Sequence, residues 1–544
     1  MSTDTPPPAP PAPRSPGVSI VVIAYNDVAH VAEAVRSALS QGRDVAEVIA
    51  VDDASTDGTG AVLDDLARVD DRLRVLHRTT NSGGCGTPRN EGLRAARAPY
   101  VMFLDSDDVL APGAVRTLLD AARRHDVPVV AGACVRRELP QRHDVRWQPT
   151  LFRREAVYER PLRPSLVRDT LCVNKLYSRD FLTAHAITFP TDIHYEDFVF
   201  QARVLTAAPR VAVVPQTVYV WHVRRGAPRP SISLRRDHTD NWRDRITAHR
   251  RAVAVFEEAG ADPLARAARV KFLDLDLRMY LRELPQRDPE YRATWWRLAR
   301  AYLATFPETE LREAPPAARW LARFLLAADQ PRDLTRAAQL AARPARLVPP
   351  YAADPVWADD LPAPLDGVED EPLQRLPFTV DARFRGNRLQ VRLHDLYGRL
   401  ARCGVFSLDL ELRHRDSGYA GQMVSTVPRL DGASYTAELR LDFDALADRC
   451  TPGRRVDVWD LRMRVSCENG RYLRAALRPV GPRPRRAAVP SRRHGLLLVQ
   501  PYTTHGGSLA LRLAPGARGL LGVGARRVRR LTSAYRRAAP VGAR

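Results

Sequence analysis

VSIVVIAYNDVAHVAEAVRSALSQGRDVAEVIAVDD, running from Val18 to Asp53, changes its hydrophobic period twice. VSIVVIAY is a continuous, largely β-branched run, the pattern of a strand buried on both faces. The next segment sets Val31, Ala34, Val35, Ala38 and Leu39 at helical spacing and predicts a helix stopping at Gly42. AEVIAVDD is then a second strand. The polar turn in ASTDGTGAVLDDLARV opens a second amphipathic helix, and LRVLHR and YVMFLD read as further strands. Such alternation predicts an α/β domain over residues 17–235, with a mostly parallel, Rossmann-like sheet. Ligands of such sheets bind at the carboxyl ends of the strands.

The rest of the chain is built differently. At 544 residues, two to four domains are expected. Residues 1–16 are Pro-rich and lack the apolar core of a secretory signal, so a disordered leader is expected. No apolar run reaches the roughly 18 residues of a membrane span. Residues 236–350 carry helical patterns, and residues 351–376 read as a Pro- and Asp-rich linker. Over 377–480 the period becomes two, with Gly386-Asn387 and the ENG at 468–470 as hairpin turns, which predicts a β-sandwich. Residues 481–544 form an Arg-rich tail with 14 Arg and no acid, which leaves +7 of the net +21 for the other 480 residues. A genome rich in G and C is the plain explanation of the Arg bias, since Lys175 and Lys271 are the only lysines. The six cysteines are scattered without CxxC spacing, which argues against structural zinc or a disulfide framework and suits a reducing cytoplasm.

Two acidic groups carry chemical information. Asp105, Asp107 and Asp108 crowd the end of YVMFLD, where they repel one another. One reading is a polar turn favouring the start of the next helix. The other is a site for Mg²⁺ or Mn²⁺, hard cations that take oxygen ligands and keep positions for substrate phosphates. Glu196 and Asp197 open the helical pattern EDFVFQARVL, with Phe198, Val199, Ala202 and Leu205 inward. As a bare pattern, that pair is equally a complement to the helix dipole.

The motifs VVIAYND, VIAVDDASTDGT, TTNSGGCGTPRNEGLRAA and YVMFLDSDD follow one another at short intervals. Together they closely resemble the family-2 glycosyltransferases, which have the nucleotide-binding GT-A fold, and the likeness covers residues 18–235. The resemblance implies that Ala24, Tyr25 and Asn26, with Asp53 and its neighbour Asp52, hold the nucleoside. It implies that Asn81 and Arg89, with Asn90 beside them, serve the base and diphosphate region, where Gly83, Gly84 and Gly86 permit close backbone approach. Asp105 and Asp107 would hold the cation, Asp107 directly. Asp197 would be the general base and Glu196 its orienting or acceptor-binding neighbour. His222, Arg224, Arg225 and Ser231, in a basic loop, would neutralise the leaving diphosphate. Lys175 is by default a structural salt bridge, with contact to acceptor or phosphate as the alternative, and His194 is as much packing as function.

The expected activity is inverting transfer of a hexose or N-acetylhexosamine from a nucleotide-diphosphate sugar, by preference a UDP-sugar, assisted by a divalent metal. The acceptor is a hydroxyl of an anionic cell-envelope polymer or its lipid-linked precursor. The domain order resembles wall-teichoic-acid and related surface-polymer glycosyltransferases, whose β modules bind polymer or mediate assembly, so a homo-oligomer through the sandwich is also open. In the tail, LLLVQPYTTHGGSLALRL looks like a hairpin joining the sandwich, and the basic segment GARGLLGVGARRVRRLTSAYRRA after it suits an anionic membrane surface or polymer. That gives a cytoplasmic protein, peripheral on the inner face of the plasma membrane. No nucleic-acid motif accompanies the charge. The competing class is a non-catalytic polysaccharide-binding or scaffold protein on a degenerate transferase, against which the intact Asp105, Asp107 and Asp197 argue.

Overall fold

The computed structural model describes residues 17–140, 143–224, 231–348, 365, 367–368, 370–451, 456–468, 470–482, 486–504 and 507–515. The leader, Arg225, most of the linker and residues 516–544 of the tail lie outside the described residues. The chain divides into two units, Met1–Phe272 and Leu273–Arg544.

The first unit begins β1 (Val18–Ala24), α1 (Val31–Leu39), β2 (Val45–Asp52), α2 (Thr59–Ala67), β3 (Leu73–His77), α3 (Gly86–Ala95) and β4 (Tyr100–Asp105). It continues with β5 (Val109–Leu110), α4 (Ala114–His125), β6 (Val129–Leu139), β7 (His143–Arg146) and β8 (Ala156–Glu159). Then come β9 (Lys175–Ser178), α5 (Arg179–Ala184), α6 (Glu196–Ala207), β10 (Arg210–Arg224), α7 (Thr239–Glu258) and α8 (Asp262–Lys271). Every residue of β1 is buried, as its unbroken apolar run requires. α1 buries Val31, Ala34, Val35 and Ala38 but ends at Leu39, so Gly42, at φ +88°, belongs to the turn that follows rather than to the helix stop.

The sheet order is β3-β2-β1-β4-β9-β6-β10-β5, with β7 on β6 and β8 on β10. β1, β2, β3 and β4 pair in parallel, whereas β9 runs antiparallel to β4 and to β6. The chain leaves β1 towards β2 on one side and returns as β4 on the other, so the strand order reverses there. That reversal opens a crevice at the carboxyl ends. Ala24 stands level with Asp52, and Ile23 with Asp105, which brings the acidic ends of two strands to that crevice beside the end of β1.

The second unit opens with helices at Arg278–Glu283, Pro289–Leu303, Glu308–Glu313, Pro316–Ala327 and Leu334–Ala341. The periodic stretch from Leu264 to Leu284 reads as one helix, yet a π-type turn at Phe272–Leu277 interrupts it. Asp274 there is buried against Arg278 and Arg343, and the wider turn accommodates this ion cluster.

Eleven strands follow. Thr379–Arg385 and Arg388–His394 form the hairpin expected at Gly386-Asn387. Two antiparallel sets are joined by a parallel ladder between Thr379–Arg385 and Tyr472–Pro479. This sheet runs past the boundary expected at residue 480. Gly495–Thr503 and Leu509–Pro515 pair with each other, and the latter pairs with Asp457–Cys467. Their alternation buries Leu497, Val499, Leu509, Leu511 and Leu513, so the first half of the basic tail is core-forming strand. The six cysteines are free. Among the described residues no helix is long and apolar enough to cross a membrane.

Candidate active site

At the end of β4 the three acids separate into different environments. Asp108 is buried, accepting the Tyr219 hydroxyl at 2.7 Å and the His222 backbone N–H at 2.7 Å. It therefore ties the β4–β5 turn to β10, and burial together with Asp107 and Asp105 pushes its carboxyl well above the usual range. Asp107 keeps 37 % of its side chain exposed. Burial of its surroundings, then Asp105 and Asp27, push its carboxyl up to about 6, against Arg224. The backbone carbonyl of Asp107 accepts from Arg224 at 2.7 Å and faces His222 Nδ1 at 3.2 Å. Burial and then the Arg224 charge lower the His222 pKa, which favours a neutral ring.

The remaining acid, Asp105, belongs to a buried ionic cluster around Arg89. One guanidinium nitrogen of Arg89 donates to Asp105 at 2.7 Å; the other meets Asp197 at 3.2 Å and Glu196. Arg89 sits on α3, and its guanidinium lies 5.4 Å from the Phe189 ring, which is stacked on Phe200 at 3.8 Å. α3 can start this close because residue 86 is glycine. A Cβ there would lie 2.1 Å from the Pro190 carbonyl oxygen.

Glu196 and Asp197 open α6 after Tyr195, whose φ of +64° turns the chain sharply into the helix. The predicted inward residues Phe198, Val199, Ala202 and Leu205 are all buried. Glu196 is 7 % exposed and Asp197 20 %, so Asp197 is the carboxylate with an open side. Asp197 also accepts the Cys172 N–H at 3.3 Å. Burial pushes both carboxyls up, and Arg89 offsets part of that rise.

The nucleoside-side residues lie in the same crevice but spend their polar groups on one another. Asp53 accepts from Asn81 at 3.0 Å, from the Ser82 hydroxyl at 2.8 Å and from Arg78 at 2.8 Å. Its backbone N–H donates to the Ala24 carbonyl at 2.9 Å. Asp52 is buried, held by the Ser55 N–H at 3.1 Å and by His77 at 3.1 Å. Asn26, at φ +50°, takes the Thr56 N–H at 2.7 Å, while the Tyr25 ring stands exposed. Asn90 is spent on the Phe189 backbone, at 2.8 and 2.9 Å.

Ser231 is exposed and enters none of these contacts among the described residues. Lys175 is buried in an ion pair with Asp169 at 2.7 Å. The sequence reading missed Asp27, Tyr219 and Cys172, which reach the acids only through the fold. Only Asp108 left a signal, as the third acid of its run.

The donor set fits a divalent cation. Arg89 engages one oxygen of Asp105, and among the described residues the cation paired with the Asp107 carboxylate is Arg224, 3.9 Å away. Mutual repulsion of uncompensated acids is what a dication relieves. Two carboxylates are the usual protein share when substrate phosphates supply further oxygens.

Residues 19–185 match the sequence profile described as glycosyl transferase family 2, and the chain carries a glycosyltransferase domain of that family with the GT-A fold. Among its relatives is a poly(ribitol-phosphate) beta-glucosyltransferase of Bacillus spizizenii, 26% identical over 301 residues, covering 54% of this chain and 45% of that protein. Another is the poly(ribitol-phosphate) beta-N-acetylglucosaminyltransferase TarS of Staphylococcus aureus, 32% identical over 216 residues, 38% of this chain and 35% of TarS. The matched segments thus span less than half the length of these relatives. The crystal structure of S. aureus TarS superposes with a TM-score of 0.52 at 18% identity, over 92% of this chain and 85% of that one, a likeness of fold.

Proposed function

We propose that the protein is an inverting glycosyltransferase that moves a hexose or N-acetylhexosamine from a UDP-sugar to a hydroxyl of a polyol-phosphate envelope polymer. One observation carries the reading: Asp105, one of the two proposed cation ligands, and the Glu196–Asp197 pair meet on the single guanidinium of Arg89. In this reading Asp197 takes the proton of the acceptor hydroxyl as that oxygen attacks the anomeric carbon. The bond to the diphosphate breaks on the opposite face, and its electron pair leaves on the β-phosphate oxygen. Glu196, held by Arg89, orients Asp197. Arg224 and His222, at the end of β10, face the side where negative charge develops. Asp105 and Asp107 would hold Mg²⁺ or Mn²⁺, which supplies charge neutralisation for the leaving diphosphate.

The test is release of UDP from candidate UDP-sugars, slow without acceptor and faster with poly(ribitol phosphate). Chelation should abolish release, and Asp107→Ala should do so in a protein that melts as wild type does. Full activity in the chelator-treated enzyme would sink the cation assignment.

Support for a polyanionic acceptor comes from the outward face of the second unit's sheet. Arg464 stands directly opposite Arg474, a like-charge pair that Asp409, 3.9 Å from Arg464, offsets on one side. Asp409 also accepts the Ser407 and Ser466 hydroxyls at 2.7 and 3.0 Å, and Glu411, opposite Arg462, is engaged by Arg413 at 2.6 Å. Tyr472, 47 % exposed, lies under the Arg464 guanidinium at 4.5 Å, and the bulge in the preceding strand leaves Phe406 exposed. Arginines for phosphodiesters beside aromatic rings for polyol carbons suit such a polymer. The double variant Arg464→Glu/Arg474→Glu should raise KM for long polymer at least tenfold while acceptor-free UDP release is unchanged. An unchanged KM would remove this face from acceptor binding.

A further inference from the structure

Asp27, the last residue of VVIAYND and one to which the motif reading gives no role, lies in the loop between β1 and α1. Its Oδ2 accepts the Ser106 hydroxyl at 2.8 Å, and Ser106 is the residue between the two cation-site acids. Its Oδ1 faces His30 Nδ1 at 2.5 Å, and its own N–H donates to the Thr59 hydroxyl at 2.8 Å. Thr59 is in turn bonded to Asp57 at 2.5 Å, and Asp57 takes the Val28 N–H at 3.1 Å. The Asp27 carboxylate is therefore held by Ser106 on one oxygen and His30 on the other, while its backbone is anchored to Thr59 at the start of α2.

Ser106 is held just as firmly. It is buried, and its backbone N–H donates to the Ile23 carbonyl at 3.1 Å while its hydroxyl donates to Asp27. With main chain and side chain of residue 106 both pinned, Asp105 and Asp107 on either side have little freedom to rotate. Orientation of ligating carboxylates by an outer partner is a general feature of metal sites, and losing such a partner weakens metal binding about 10–100-fold.

We propose that Asp27 is a positioning residue for the cation and diphosphate, acting through Ser106 to aim Asp105 and Asp107. The inference rests on the reading of those two acids as the cation-holding pair. The partners of Asp27 are Ser106, His30 and Thr59, not the proposed base Asp197, so this role is separate from proton transfer.

The experiment is calorimetric titration of full-length protein with Mn²⁺ in the presence of UDP, with a thermal melt of every variant. Asp27→Ala should weaken Mn²⁺ binding about 10–100-fold, and Ser106→Ala should do the same. The double variant should be no weaker than the worse single one, because both act on one hydrogen bond. Asp27→Asn, which still accepts from Ser106, should recover part of the loss. Wild-type Mn²⁺ affinity in Asp27→Ala, or losses that simply add in the double variant, would overturn the proposal. If Asp27→Ala melts early, Ser106→Ala carries the test, and wild-type affinity in that variant overturns it equally. A wild-type protein whose UDP binding ignores Mn²⁺ would instead refute the cation reading itself, so the two failures are distinguishable.

Discussion

Asp197→Asn lowers turnover by about 10²–10⁴-fold, the range set by loss of a general base. The amide keeps the size of the carboxylate and can still accept from Cys172 N–H, but it cannot take the acceptor proton. UDP binding should change little, since Asp197 faces the cluster from α6 rather than from the nucleoside loops. The pH profile supplies a second readout. Burial raises the Asp197 pKa, so the ionised base is lost as pH falls through a value above the ordinary aspartate figure of about 3.9. Wild-type kcat/KM should therefore fall on the acid side above that figure, and the residual activity of Asp197→Asn should lack that limb. A variant within a few-fold of wild type would show that another group accepts the proton.

The second large effect belongs to Arg89. Removing one partner of a buried ionic group costs about 3–5 kcal/mol because the remaining charge is left uncompensated. Arg89→Leu leaves three carboxylates, Asp105, Glu196 and Asp197, without their shared cation. Unpaired buried carboxylates raise their pKa, and the cost of the ionised forms is relieved by protonation. The stability loss should therefore be largest at pH 8 and smaller at pH 5, which paired denaturant titrations at the two pH values would measure. Arg89→Lys retains the charge but not the fork that reaches Asp105 with one nitrogen and the Glu196–Asp197 pair with the other. It should fold yet lose turnover about 10²-fold through misplacement of the base. Equal stability of Arg89→Leu at both pH values would show that the cluster is not held by this charge.

Much of the first unit was legible because its strands are apolar runs and its helices keep their period. VSIVVIA and YVMFLD predict their strands, and EDFVFQARVL predicts which side chains turn inward. The hairpin of Gly495–Thr503 and Leu509–Pro515 was legible too, from the alternation in LLLVQPYTTHGGSLALRL. One feature had no local signature. The π-type turn at Phe272–Leu277 lies inside an unbroken helical pattern, because pairing of Asp274 with Arg343 is a long-range event. In the site, motif resemblance pointed to the acids but not to their division of labour. Asp108 became structural because Tyr219, more than a hundred residues later, donates to it, and no spacing rule reports such a meeting. The contacts of Asp52 with the Ser55 N–H and His77 are likewise invisible to spacing alone.

The shared guanidinium also bears on how this chain can change over generations. Asp105, Glu196 and Asp197 come from distant stretches of sequence, yet each is answered by the same side chain on α3. A substitution at any of them alters the charge balance felt by the other two, so their effects are coupled rather than additive. Drift at these four positions is therefore admissible only in concert, whereas the exposed Tyr25 ring lies outside this coupling. On the proposed reading of the crevice, donor preference can then shift at that ring at a different speed from catalytic competence.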